Sequence, residues 1–166
     1  MRRLIEFLAG ADPARAILLA PAIFALHFLE EAPRFVSWFN SLVQQGISQP
    51  LFLRVNAVCL LLTVALATVA SVNQSRGALL FALAWLGFLM FANAIFHIVG
   101  TVVHARYSPG VVTAVILYLP YFGWLVWLLH KRFGIPVYAT LAVCAVTGLP
   151  MFIHGYLIVF EGRRLF

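Results

Sequence analysis

Residues 78–106 read ALLFALAWLGFLMFANAIFHIVGTVVHAR. Before Arg106, only Asn93, His97, Thr101 and His104 carry polar groups outside the indole of Trp85. A bilayer needs about 20 apolar residues of helix to cross its hydrocarbon core. This run is longer, so it reads as a span whose last turns project beyond the hydrocarbon. The rest of the chain repeats the pattern. Of its 166 residues, 64% are hydrophobic and 10% charged, where soluble domains run near 45–50% apolar and about 25% charged. That excess is too large for one buried core. It excludes a soluble globular domain, a disordered chain and a nucleic-acid partner.

Four more spans follow by the same reading, and the spacing predicts an all-α bundle of five membrane helices in a single domain over 1–166. Asp12-Pro13 supplies an N-cap and a first-turn proline, which starts the first span over 13–32. Over 34–45, Phe35, Val36, Trp38, Phe39, Leu42 and Val43 recur at helical spacing, as in a short amphipathic helix at the membrane interface. The remaining spans are expected over 51–72, 78–106, 111–130 and 136–160. The run over 16–29 ends in Glu30-Glu31 rather than a small-residue cleavage site, so it reads as a retained span and not a signal peptide. Cys59 and Cys144 lie inside apolar runs without a CxxC context and read as small buried hydrophobes.

The net charge of +6 comes from basic residues at span ends, an anchoring pattern. Arg2, Arg3, Arg15, Arg76, Lys131 and Arg132 fall on the N-terminal side, and Arg34, Arg54, Arg106, Arg163 and Arg164 on the other. This near-balance leaves Arg2, Arg3 and Arg15, flanking the first helix, to favour a cytoplasmic N-terminus in a bacterial inner membrane.

An ionisable group at mid-membrane costs about 2.5–3.5 kcal/mol to insert, so each one is a functional candidate. Glu30 and Glu31 follow His27 by three and four residues and share its side of the helix. Helices offer paired ligands to one metal in this way, and the same pair suits metal-free acid–base work. Asn93, His97, Gly100 and His104 step by four, three and four along one face, with Gly100 leaving room for a close neighbour. The fifth span carries His154, with Glu161 two turns on in an interfacial setting and Pro150 one turn before. In an alternating five-span chain the ends of spans one, three and five and the starts of two and four share one side. His27, Glu30, Glu31, Asn56, His97, His104 and His154 therefore converge on one half of the membrane. His130, at the opposite end beside Lys131, reads as interfacial.

The stretch His27-Phe28-Leu29-Glu30-Glu31 resembles the HXXEE family of small bacterial integral membrane proteins, which is named for this motif. The likeness continues through Asn93-x-x-x-His97 and Tyr107-Ser108-Pro109-Gly110, and so across nearly the whole chain. The family carries no assigned activity. The resemblance implies a shared fold and site but no reaction, and it adds nothing for His104, His154 or Glu161.

Three functions suit these residues. The first is a zinc- or iron-dependent hydrolase or oxidase of a lipid-like or apolar substrate. Its metal ligands would come from His27, Glu30, Glu31, His97, His104 and His154; Glu30, Glu31 and Asn93 would act in catalysis, and Asn56 and Tyr118 would bind substrate. The second is a metal-free isomerase or lyase using the same acid–base groups. The third is a non-enzymatic transporter or ion-binding protein, whose five-helix protomer would have to form a homo-oligomer to build a path. Membrane lipids are the expected surroundings in all three.

Overall fold

The computed structural model describes residues 10–165. Arg2 and Arg3, on which the orientation argument leans, lie outside the described residues. Five helices are long and apolar enough to cross a membrane: α1 (Pro13–Glu31), α3 (Gln49–Asn73), α4 (Arg76–His104), α5 (Val111–Phe133) and α6 (Val137–Glu161). A short α2 (Phe35–Asn40) stands between α1 and α3. No strand occurs among the described residues.

Capping explains where these helices depart from the expected bounds. Asp12 accepts a hydrogen bond from Ala14 N and starts α1 with Pro13 in the first turn, as anticipated. Ser48 and Ser75 do the same for Leu51 N and Ala78 N, so α3 and α4 each begin two residues earlier than their apolar runs. Left-handed residues close the other ends: Ala105 after α4, Gly134 after α5 and Gly162 after α6. α4 therefore ends at His104 rather than 106, and α5 runs on to Phe133 rather than 130.

The expected 34–45 helix is shorter, covering only Phe35–Asn40. The Asn40 amide explains this: it accepts from Ile47 N at 2.8 Å and donates to Ile47 O at 2.9 Å, folding the chain back after one and a half turns. The apolar face of α2 inserts into the bundle, where Phe35, Trp38 and Phe39 are buried against Phe52 of α3, Phe96 of α4 and Ile158 of α6. The following loop is tied down by Gln44 N donating to Gly162 O and Gln49 Nε2 to Ala32 O. Arg106 Nη2 donates to Ser41 Oγ. Together these form a roof over one end of the bundle.

α4 is the central helix. α6 packs along it through small residues, an arrangement that lets membrane helices approach closely. Both α4 and α5 widen into π turns, at Gly87–Ala92 and Ala114–Tyr118, a feature that often marks functional positions. The larger apolar cluster fills the end away from the roof with Leu83, Leu86, Met90 and Leu125, and the smaller one surrounds α2.

A methyl group on Gly87 would lie 2.8 Å from Cys144 Cβ and 2.9 Å from its Cα. Gly87→Val should therefore force α4 and α6 apart and cost about 1–3 kcal/mol. We expect a clear fall in Tm in detergent, and an unchanged Tm would mean that the two backbones do not meet there.

Candidate metal centre

α1 presents His27 and Glu31 one turn apart, and α4 presents His97 to the same point. His27 is 1% exposed, His97 0% and Glu31 4%. His97 Nε2 lies 3.1 Å from Glu31 Oε1, and His27 Nε2 lies 3.6 Å from the same oxygen. Neither contact is aligned as a hydrogen bond, and both Nε2 atoms are buried without a hydrogen-bond partner. One ligand atom from each of the three residues falls within 4.8 Å of the other two.

The opposite side of each ring is fixed. His27 Nδ1 is 2.8 Å from Thr113 Oγ1, and His97 Nδ1 is 3.0 Å from Ser108 Oγ. Both hydroxyls come from the segment that opens α5. Tyr118 stacks on His27 with ring centroids 4.2 Å apart, while Phe35 and Phe96 pack against the His97 ring. The two rings are thus clamped where the two apolar clusters meet.

Glu30 does different work. Its Oε1 accepts from Tyr107 OH, Gly110 N and Val112 N, and its Oε2 from Thr113 N and Thr113 Oγ1. An ionised carboxylate offers only acceptors, and the first amides of a helix are unpaired donors with a positive end-charge. Glu30 therefore caps α5 from another helix. Partial burial, then the hydrogen bond to Glu30, push the Tyr107 hydroxyl up to about 12, so it remains a donor at neutral pH.

This contact also fixes a tautomer. The Thr113 hydroxyl proton is directed to Glu30, with the Gly110 carbonyl as its other neighbouring acceptor. Thr113 Oγ1 must then accept from His27, which puts the His27 proton on Nδ1. His27 Nε2 and His97 Nε2 then both face the Glu31 carboxylate oxygen. The donor set and the orphaned nitrogens suit a cation there.

Gly110 completes the enclosure. Its φ is +106°, and a methyl group on it would lie 2.7 Å from His97 Cε1 and 2.9 Å from His27 Cε1. Only glycine tolerates both that backbone and that approach.

The family with the description "Protein of unknown function with HXXEE motif" matches residues 18–125, which include every residue of this cluster. The chain belongs to the HXXEE family. Neither the curated proteins nor the solved structures provide a match.

Within this HXXEE protein the other expected site residues divide into two groups. Asn56, Asn93 and His154 join His27 and Glu31 in lining a cavity of about 400 Å³ between α1, α3, α4 and α6. Asn93 Oδ1 is buried there without a partner, whereas the Asn56 amide donates to Phe52 O. His154 Nδ1 accepts from Leu165 N, which leaves its proton on Nε2 and makes that atom a donor rather than a metal ligand. The second group lies apart. Glu30 is taken up by α5, and His104, in the last turn of α4, is not in the three-residue cluster. Tyr118 supports His27 from behind and does not line the cavity. Glu161 pairs with Arg163, and His130 bonds Ile135 O in the α5–α6 turn. The space beside Gly100 is taken by the Trp38 ring of α2.

Sequence reasoning missed Thr113, and Tyr107 and Ser108 enter it only through the likeness at Tyr107-Ser108-Pro109-Gly110. Their spacing after the Tyr-Ser-Pro-Gly turn carries no metal-ligand pattern. Their roles come from the turn and the first turn of α5 facing α1.

Glu30→Gln places an amide N–H₂ among five donors. It should lower stability by about 1–3 kcal/mol, seen as a fall in Tm followed by tryptophan fluorescence in detergent. A Tm equal to wild type would show that the carboxylate does not hold the start of α5.

Proposed function

We propose that this HXXEE protein is a membrane-embedded metalloenzyme. It would hold one zinc or iron ion at His27 Nε2, His97 Nε2 and Glu31 and act on an apolar, lipid-like substrate. The observation that carries this reading is the pair of unpartnered Nε2 atoms facing one carboxylate oxygen, with both Nδ1 atoms anchored by hydroxyls. Metal-ligating histidines usually have their second nitrogen held in this way, which fixes tautomer and ring orientation. Two nitrogens and a carboxylate suit zinc or iron better than copper(I), which favours thiolate.

Such an ion, when bound, supplies Lewis-acid activation of water or of a substrate carbonyl. The protein's own groups divide the remaining work. Glu31 balances the charge and fills one ligand position. Asn93 offers a buried oxygen to a substrate donor or water beside the cluster. His154 lines the same cavity. Both Glu30 oxygens are taken up by α5 and Tyr107, so the catalytic role expected of Glu30 from the sequence is not part of this proposal. The aromatic and aliphatic cavity walls exclude water and favour an apolar substrate. α3 is the most exposed of the long helices: Leu51 and Val55 line the cavity and are also exposed, which supports entry from the bilayer. A bacterial cell membrane with the N-terminus in the cytoplasm is the setting we infer, with Arg15 the described residue that supports it.

A second reading dispenses with the ion. The 3.1 Å approach of His97 to Glu31 would also serve an acid–base pair for isomerisation. Chelation separates the two, since it leaves a metal-free enzyme unaffected.

The wild-type protein, purified without chelator, should retain close to one zinc or iron ion per chain by mass spectrometry. The His27→Ala, His97→Ala double variant should retain none. Thr113→Val removes the hydroxyl that links His27 to Glu30 and should weaken metal affinity about 10–100-fold. Substoichiometric metal in the wild type, or an unchanged content in the double variant, would overturn the proposal.

A further inference from the structure

We propose that the cavity takes one straight alkyl chain tail-first, and that Phe88 is the stop that limits the length of that chain. This deepens the reading above by naming the substrate class, and rests on the cavity being the substrate site. The direction of the chain follows from the topology. α1, α4 and α6 run toward the roof and α3 runs away from it. The lining residue farthest from the roof is therefore Phe24 on α1, Cys59 on α3, Phe88 on α4 and Met151 on α6. None of these is an Asp, Glu, Lys, Arg or His. The lining side chains of those types, His27, Glu31, His154 and Arg164, all stand nearer the roof. Burying an unpaired polar group among apolar walls is costly, so a polar end belongs on the roof side and a hydrocarbon tail at the floor.

The floor is fastened just beneath these residues. Trp85, one turn before Phe88, donates from Nε1 to Thr63 Oγ1 at 2.9 Å. Thr63, one turn after Cys59, donates in turn to the Cys59 carbonyl at 2.7 Å. Thr63 is buried, and the Trp85 and Phe88 rings stand 5.7 Å apart. This tie joins α3 to α4. Beyond it the two helices pack directly, with Ala67, Ala70, Leu79 and Ala82 buried. On the roof side the cavity lies between them. Phe88 thus stands over a closed end, in the π turn of α4.

Lipid tails are as apolar as these walls, so the hydrophobic effect gives a chain no reason to leave the bilayer for the cavity. Fit has to discriminate. His97 stands nine residues after Phe88. The floor therefore lies roughly 13 Å below the cluster, the reach of a straight chain of roughly ten carbons. The volume of about 400 Å³ is near the lower end of the usual range for small-molecule pockets, about 300–1,000 Å³, which suits one chain rather than two. A longer chain would press on Phe88 or lift its polar end past the cluster.

The test uses the full-length protein in phosphatidylcholine nanodiscs with EDTA present, so that binding is read without a metal. A 1-decanol carrying a diazirine at its tail should label Cys59, Phe88 or Met151 in the wild-type protein, which tests the direction without any substitution. Unlabelled 1-alkanols, compared at equal mole fraction in the lipid, should compete best at about eight to twelve carbons and about tenfold or more weakly at about eighteen. Phe88→Ala should move that limit up by about two to four carbons, and Phe88→Trp should move it down. Phe81→Ala, on the exposed face of α4, should leave it unchanged. The limit is a ratio between chain lengths, so a general loss of folded protein does not mimic a shift. Competition that does not fall for long chains, or a limit that neither Phe88 variant moves, would overturn the proposal. So would tail labelling confined to Val69 and Phe81 on the outer surface, or to Phe39 and Ile47 at the roof. Because no metal takes part, a failure of metal binding leaves this result intact, and the reverse also holds.

Discussion

The Glu30 carboxylate joins the end of α1 to the start of α5, and the candidate site depends on that junction. A helix start carries unpaired amides that must find acceptors, and inside a membrane protein water is a poor source of them. Here the acceptor is supplied by another helix. Once Glu30 is seated, Thr113 and Ser108 fall behind His27 and His97, and Gly110 comes against both rings. One ion–amide junction thus positions two imidazoles contributed by different helices.

The two adjacent glutamates have opposite tasks because they point to different sides of the α1 end. Glu31 shares the His27 face and turns into the bundle, where it meets His97. Glu30 is rotated away by one residue and meets α5 instead. Their chemical equivalence in the sequence hides this difference. The Thr113 hydroxyl then links the two tasks, passing the orientation imposed by Glu30 to the Nδ1 side of His27 and turning its Nε2 side toward Glu31.

The roof formed by α2 gives the site its enclosure. Aromatic residues from α2, α3 and α4 close the His97 side, and the tie between Gln44 and Gly162 fastens the roof to the end of α6. The result is a polar cluster at the edge of an apolar cavity.

The sequence by itself determined the five helices, because an apolar run of span length has few other stable forms in lipid. Charge scarcity also narrowed the candidates to a few groups and, through the up-and-down alternation of the spans, put His27, Glu30, Glu31, Asn56, His97, His104 and His154 at one end. It also placed His27, Glu30 and Glu31 together on one turn. Helical spacing could not separate Glu30 from Glu31, exclude His104 from the cluster or turn Tyr118 away from the cavity. Those outcomes depend on how α1, α4 and α5 rotate against one another. Only the tertiary structure decided them, because a side chain's role is set by the partner it meets, and Thr113, Ser108 and Gly110 come from a turn whose contacts with α1 leave no periodic trace in the chain.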